Sequence, residues 1–195
     1  MDIKKLLWIA ILVSIVGIII ASLKPTMNIA TNFGGAFTLT NHLGEAVTNK
    51  DFENQYRLIY FGFTYCPAIC PTELQRINQV LKNLGDIGKN IQPIFITVDP
   101  ERDTVGAMKS YVGLFHPRLI GLTGTQAQID TIKKGYKVYS SKIQEENMTD
   151  YTVDHSSYIY FMGPNNTLIH LFKMDESVES ITKKVKTVLE KSNLQ

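Results

Sequence analysis

The feature that most constrains the fold is an apolar strand pattern that leads through a cysteine-bearing turn into an amphipathic helix pattern. Residues 57–64 read RLIYFGFT, an aliphatic and aromatic run typical of a buried strand. Beyond Pro71, apolar residues recur at helical spacing until Gly85. The turn between the two elements carries Cys66 and Cys70. A strand buried on both faces needs partner strands and covering helices, so this unit predicts an α/β domain.

The rest of the domain continues the alternation of strands and helices. We expect Asp103 to cap a helix over 104–115. The other predicted elements are a β-hairpin at 37–40 and 45–48, strands at 91–98 and 119–122, a helix at 125–134, an extended segment at 136–143, a hairpin at 156–162 and 167–172, and a helix from Ser177. This order predicts a thioredoxin-like α/β sandwich: a central mixed sheet flanked by helices, with an N-terminal β-hairpin.

An uncharged apolar run precedes the domain. It begins at Leu6 and ends at Leu23, and its 18 residues are enough for one transmembrane helix. A cleaved signal peptide is the alternative, but its apolar core is normally shorter and ends in a better cleavage site. Lys4 and Lys5 favour a cytoplasmic N-terminus. We therefore expect an anchor at 1–23, a tether at 24–32 and a domain at 33–195 that faces the periplasm from a bacterial inner membrane.

Charge and cysteine content exclude several classes of function. The chain has 20 Lys plus Arg and 18 Asp plus Glu, so its net charge is only +2. A nucleic-acid-binding protein normally needs a clustered basic excess, which is missing here. Two cysteines in 195 residues can form neither a disulfide scaffold nor a four-thiolate zinc site. Any metal bound by them needs further ligands from elsewhere in the chain.

The position of the two cysteines favours chemistry over packing. Cys66 follows the buried strand and Cys70 comes just before the helix pattern, where the helix dipole and free N–H groups stabilise thiolates. Two exposed thiolates with lowered pKa values suit a soft metal or exchange with a disulfide. The alternative is a structural disulfide or a buried cysteine pair, which Pro67 and Pro71 at an element boundary make less fitting.

A copper ion held by two thiolates could gain an imidazole as a third ligand. The chain offers four histidines, and the residues alone do not decide between them. His42 falls in a hairpin turn, His116 at a helix end and His170 in the middle of a strand. A structural role is enough to explain a histidine at each of these three positions. His155 lies between a polar loop and an apolar strand, so it is a candidate ligand.

Three blocks of sequence resemble the Sco/SenC family. They are FGFTYCPAICPTEL at 61–74, TVDPERDT at 97–104 and VDHS at 153–156, in the family's order. The resemblance implies a thioredoxin-like fold, a single N-terminal membrane helix and a role in building the binuclear copper centre of cytochrome c oxidase. It also implies copper ligation by Cys66, Cys70 and His155. One departure is Ala68, at a position where the family often has an acidic residue.

The resemblance thus predicts a copper metallochaperone rather than an enzyme. Its expected partner is oxidase subunit II or another copper protein on the exported side, with an upstream copper donor or a thiol reductant. A second hypothesis is a thiol-disulfide reductase that keeps the oxidase's copper-site cysteines reduced; it needs Cys66 and Cys70 but not His155. The stretch DPERD at 99–103 is expected to be a structural loop.

Overall fold

A computed structural model describes residues 33–144, 146 and 148–192 of the chain. The predicted membrane anchor, which begins at Leu6 and ends at Leu23, lies outside the described residues, as does the predicted tether at 24–32. Within the described part of the chain, no helix combines the length and the apolar character needed to cross a membrane.

The described residues form nine strands and four α-helices. The strands are β1 (Thr38–Asn41), β2 (Ala46–Thr48), β3 (Tyr56–Gly62), β4 (Ile91–Thr97), β5 (Ile120–Thr123), β6 (Ser140–Ile143), β7 (Thr152–His155), β8 (Ile159–Met162) and β9 (Leu168–Phe172). The helices are α1 (Ile69–Leu84), α2 (Val105–Val112), α3 (Gln126–Tyr136) and α4 (Val178–Ser192). Short 3-10 turns lie at 49–52, 85–90 and 164–166.

Seven strands form one mixed sheet in the order β2-β1-β5-β4-β3-β8-β9. The central strands β3, β4 and β5 are parallel, whereas β1, β8 and β9 join antiparallel. Helices α1 and α4 pack against each other, while α2 contacts β5 and α3 contacts β1. This mixed sheet with packed helices agrees with the predicted α/β class, and the N-terminal hairpin forms from β1 and β2 as expected.

The core follows from the apolar patterns of the central elements. From Leu58 to Phe61, every β3 side chain is almost fully buried, because the strand has partners on both edges and helices nearby. Helix α1 buries the apolar face that its spacing predicted: Leu74, Ile77, Val80, Leu81 and Leu84. Gly85 ends the helix with a positive φ of 57°, which glycine adopts without a Cβ clash. The predicted strand-turn-helix unit is confirmed.

Two local predictions are wrong, and one strand pairing was not predicted. Helix α3 extends to Tyr136, so the expected extended segment starts only at β6. The strands β6 and β7 pair in a separate two-stranded ribbon that the sequence did not indicate. Helix α2 is capped by Thr104, whose Oγ1 accepts from the N–H of Ala107, and Asp103 instead turns inward.

Candidate metal centre

The two cysteines meet at the junction of β3 and α1. Cys66 lies in the turn, where its N–H donates to the carbonyl of Phe63 at 3.2 Å. Cys70 is the second residue of α1, so the helix begins two residues before Pro71, which its first turn tolerates. The N–H of Cys70 donates to Cys66 Sγ at 3.4 Å. The first turn of the helix therefore wraps around the Cys66 sulfur.

The ribbon brings His155 to the same place. His155 ends β7, and its Nε2 lies 3.6 Å from Cys70 Sγ although the two residues are 85 positions apart. Its Nδ1 lies 3.0 Å from the carbonyl oxygen of Ser156. A carbonyl can only accept, so Nδ1 carries a ring proton, and Nε2 is the nitrogen that faces the sulfurs. A metal ion at the sulfurs would be bound through Nε2, with the ring oriented by the hydrogen bond of Nδ1.

The other three histidines lie away from the cysteines and have structural contacts. His42 Nδ1 accepts from the N–H of Gly121 at 3.2 Å, and His116 Nδ1 accepts from the N–H of Arg118 at 3.1 Å. The His170 ring packs on Phe172 with centroids 4.7 Å apart. Of the four candidates, His155 is the histidine that the fold brings to the cysteine pair.

The two thiols differ in exposure and acidity, contrary to the expectation of two exposed, acidified thiols. Cys66 is half-buried and Cys70 is fully buried. A hydrogen bond from the Cys70 thiol, supported by His155 and backbone N–H groups, outweighs partial burial and lowers the pKa of Cys66 to about 3. Donating that bond, together with burial, raises the pKa of Cys70. The pair is thus one thiolate and one thiol that share a proton.

Aromatic side chains surround the buried part of the site. The Tyr60 hydroxyl lies 3.9 Å from Cys70 Sγ beneath the helix. The rings of Tyr60 and Phe63 meet the His155 ring edge-on, with centroids 6.2 and 5.8 Å away. Cys66 and His155 also line a small cavity of about 220 Å³ at the surface. The centre is therefore apolar inside and open on the side of Cys66.

Gly62 is a site residue that the sequence reasoning missed. A Cβ at this position would lie 2.8 Å from Cys70 Sγ and 2.9 Å from the Phe95 ring. Contacts this short do not occur, so any side chain would displace the sulfur or the ring. The FGFT motif contained the signal, because a glycine inside an apolar strand often marks a close approach of another group.

Asp103 fixes the start of the cysteine turn. Its carboxylate accepts from the Thr64 N–H at 3.1 and 3.2 Å, from the Thr64 hydroxyl at 2.5 Å and from the Thr97 hydroxyl at 2.6 Å. Three donors converge on it, which explains why the side chain is buried rather than placed at the helix cap. The DPERD stretch thus holds the turn two residues before Cys66.

The chemistry of the three side chains fits a soft metal ion. In a three-coordinate site with ligands about 2.2 Å from the ion, neighbouring ligand atoms lie about 3.8 Å apart, close to the Cys70–His155 separation. Within the described ranges, no preassembled group of three or more His, Cys, Asp or Glu side chains has the spacing of a metal site.

Comparison with known proteins identifies the family. Residues 25–190 match the SCO1/SenC family over most of the chain. The chain belongs to the SCO1/SenC family. Protein SCO2 homolog, mitochondrial, of Bos taurus is 46% identical over 154 residues, which cover 78% of this chain and 58% of the relative. Protein SCO1 homolog, mitochondrial, of Homo sapiens is 41% identical over 156 residues, covering 79% and 52%.

A solved family structure shares the fold. The crystal structure of Arabidopsis thaliana ScoI with copper bound superposes with a TM-score of 0.77 at 39% identity, covering 82% of this chain and 99% of that one. This likeness confirms the Sco/SenC resemblance that the three sequence blocks indicated. The curated relatives are longer than the matched region, which spans a little over half of their length.

Proposed function

We propose that this chain is a membrane-anchored copper metallochaperone that binds copper through Cys66, Cys70 and His155. The observation that carries the proposal is the 3.6 Å approach of His155 Nε2 to Cys70 Sγ, beside a half-buried Cys66. A purely structural core would give little reason for the two sulfurs of one turn to meet an imidazole nitrogen from a residue 85 positions further along the chain. The copper bound to the Arabidopsis relative supports the choice of metal.

Copper is the cargo, and the donor set suits its transfer. Thiolates are preferred by Cu(I), and an added imidazole allows Cu(II) to be held as well. Cys66 is already deprotonated and offers a ligand at once, whereas Cys70 must lose its proton when the ion enters. With three ligands the ion stays reachable, so incoming cysteines of an acceptor can replace Cys66 or Cys70 one at a time.

The proposed acceptor is the binuclear copper centre of cytochrome c oxidase subunit II, or another copper protein on the exported side. This partner follows from the family resemblance. The proposed location is a bacterial inner membrane, with the run from Leu6 to Leu23 as a single-pass anchor and the domain facing the periplasm. Lys4 and Lys5, which precede the run, support that orientation. An upstream copper donor or a thiol reductant would keep the site loaded.

Copper titration of the purified full chain in detergent tests the ligand set. We expect one Cu(II) per chain with a thiolate-to-copper absorption band, loss of that band in Cys66→Ser, and at least tenfold weaker Cu(II) binding in His155→Ala. His116→Ala is the matched control, because that ring has a local backbone contact only. Full Cu(II) affinity in His155→Ala would exclude His155 as a ligand.

The second candidate function is a thiol-disulfide reductase acting on oxidised copper-site cysteines. The pairing of an acidic, half-buried Cys66 with a buried Cys70 favours it, since one thiolate can attack a disulfide and the second thiol can resolve it. Reduction of an oxidised copper-site peptide would distinguish the two. Rapid turnover that survives His155→Ala, without stoichiometric copper binding, would favour the reductase.

A further inference from the structure

The ribbon that carries His155 has little support of its own. Strands β6 and β7 pair only with each other and do not join the seven-stranded sheet. Each strand has four residues, and Ser140 pairs with His155 at one end. An isolated two-stranded ribbon is marginally stable in water. The position of His155 over the cysteines therefore depends on what attaches the ribbon to the body of the domain.

Arg102 makes hydrogen bonds that attach this ribbon. Its Nε donates to Asp99 Oδ2 at 2.6 Å, and its Nη1 donates to the carbonyl of Tyr151 at 2.8 Å, one residue before β7. The Tyr151 hydroxyl donates in turn to Asp99 Oδ1 at 2.9 Å. Asp99 is fully buried two residues beyond the end of β4, so Asp99, Arg102 and Tyr151 form a closed hydrogen-bonded ring between the main sheet and the ribbon.

Arg102 also contacts the cysteine turn. The guanidinium carbon lies 3.7 Å from the centroid of the Tyr151 ring, 4.8 Å from that of Tyr65 and 5.8 Å from that of Phe63. Tyr65 immediately precedes Cys66, and the Phe63 ring packs edge-on against His155. The side chain thus lies between the segment that carries Cys66 and the ribbon that carries His155.

Other ties hold the ribbon without touching the cysteine turn. Lys142 pairs with Glu101, and both side chains are about half exposed or more. Lys133, on α3, donates to Ser140 Oγ at 2.9 Å. Among the described side chains that attach the ribbon by hydrogen bonds or ion pairs, Arg102 is the one that also contacts the cysteine turn. Surface ion pairs contribute little, so the less exposed Arg102 is the stronger attachment.

We propose that Arg102 is a positioning residue that holds His155 against the cysteine turn and so sets the third copper ligand. The inference rests on the proposed ligand set. Arginine is required because its planar guanidinium stacks on rings while its nitrogens donate in fixed directions, which an ammonium group cannot do. The DPERD motif thereby has two functions: Asp103 fixes the turn before Cys66, and Arg102 fixes the ribbon before His155.

The test compares Arg102→Lys with Arg118→Lys in the full chain. Arg118 is a matched control, because it donates to the carbonyls of Gly88, Lys89 and Ile91, away from the cysteines. We expect Arg102→Lys to weaken Cu(II) binding at least tenfold and to change Cu(I) binding less than threefold, because two thiolates suffice for Cu(I). Arg118→Lys should leave both affinities unchanged.

A double-mutant cycle separates positioning through His155 from general damage. In a His155→Ala background, Arg102→Lys should cause no further loss of Cu(II) affinity, since its effect passes through the missing imidazole. Hydrogen exchange of the copper-free protein gives a readout independent of metal: amides at 152–155 should exchange at least tenfold faster in Arg102→Lys than in Arg118→Lys. Additive losses, or equal exchange in the two variants, would overturn the proposal.

Two outcomes distinguish this inference from the proposed function. If the wild type binds no copper, or His155→Ala binds Cu(II) normally, the ligand set fails. If His155→Ala is impaired but Arg102→Lys binds normally, only the inference fails. Should Arg102→Lys not fold, Tyr65→Leu replaces it, because Tyr65 is 60% exposed and its removal spares the core. That variant should weaken Cu(II) binding about threefold, and unchanged Cu(II) binding would overturn the proposal.

Discussion

At the scale of single residues, the site depends on a difference in burial and acidity between its two cysteines, which the sequence cannot show. The spacing of Cys66 and Cys70 predicted that both would lie near a helix N-terminus, and they do. Which sulfur is buried depends on the close fit of Gly62 and Tyr60 around Cys70, a contact between strand and helix. Helix geometry alone would have given the two thiols similar exposure and acidity. Packing instead buries Cys70 and makes its thiol a hydrogen-bond donor to Cys66.

This difference predicts how the copper-free protein reacts with haloacetamides. Because the pKa of Cys66 is lowered to about 3, its thiolate fraction is nearly constant above pH 5, so its alkylation rate should change less than twofold between pH 5 and 7.5. Cys70 should remain unlabelled. Peptide mass spectrometry after timed quenching gives both rates.

Two substitutions at Cys70 test the cause of the acidity. Serine retains a hydrogen-bond donor and should preserve the low pKa of Cys66, whereas alanine removes the donor and should slow alkylation at pH 6 at least tenfold. The urea-unfolded protein, in which both thiols should titrate near their ordinary pKa, is the control. A Cys66 rate in the folded wild type that falls tenfold per pH unit would contradict the assignment.

At the scale of elements, local patterns predicted the central units and failed where long-range contacts decide. The burial of β3 and the apolar face of α1 follow from their own residues. The ribbon does not, because β6 is exposed and polar, and the ribbon is attached by long-range contacts such as the bond from Arg102 to the Tyr151 carbonyl. Asp103 has the sequence position of a cap, but Thr64 and Thr97 supply three donors that only the folded sheet brings together.

Thr104 caps α2 and Asp103 was the predicted cap, so substitutions of the two residues should have different effects on stability. Thr104→Ala removes the bond to the Ala107 N–H and should cost about 1 kcal/mol of unfolding free energy at any pH from 4 to 7. Asp103→Asn disturbs the buried hydrogen bonds to Thr64 and Thr97 and should cost more, about 2–3 kcal/mol. Urea denaturation at several pH values measures both.

The Asp103 effect should depend on pH. Burial raises the pKa of Asp103 above its ordinary value, so the folded state holds its proton more tightly than the unfolded chain does. The stabilisation that results is complete below the pKa of Asp103 in the unfolded chain. It decreases as pH rises through the pKa of Asp103 in the folded protein. The asparagine variant lacks this titration, so its deficit should be larger at pH 4 than at pH 7. A deficit that grows towards pH 7 would show that the carboxylate is stabilised when ionised.

At the scale of the whole molecule, the proposed function combines two parts: a small copper site whose ligands can be exchanged, and a proposed membrane anchor. The domain's sheet, turn and ribbon are enough to bring two thiols and an imidazole together, as the 3.6 Å approach of His155 and Cys70 indicates. An open site of this kind is useful only if the acceptor is near. Confining both proteins to one membrane surface raises the effective concentration without adding a contact between them.

Replacing the apolar run that begins at Leu6 and ends at Leu23 by a cleavable export signal tests this role of the anchor. The released protein should bind copper with unchanged affinity, because none of the proposed ligands lies in the run. Oxidase maturation, measured as copper content of subunit II and oxygen consumption, should fall at least tenfold at native expression and recover on overexpression, since mass action then replaces confinement. An unrelated single-pass helix in the same position is the control and should restore maturation. If the released protein matures oxidase fully at native expression, confinement contributes nothing to delivery.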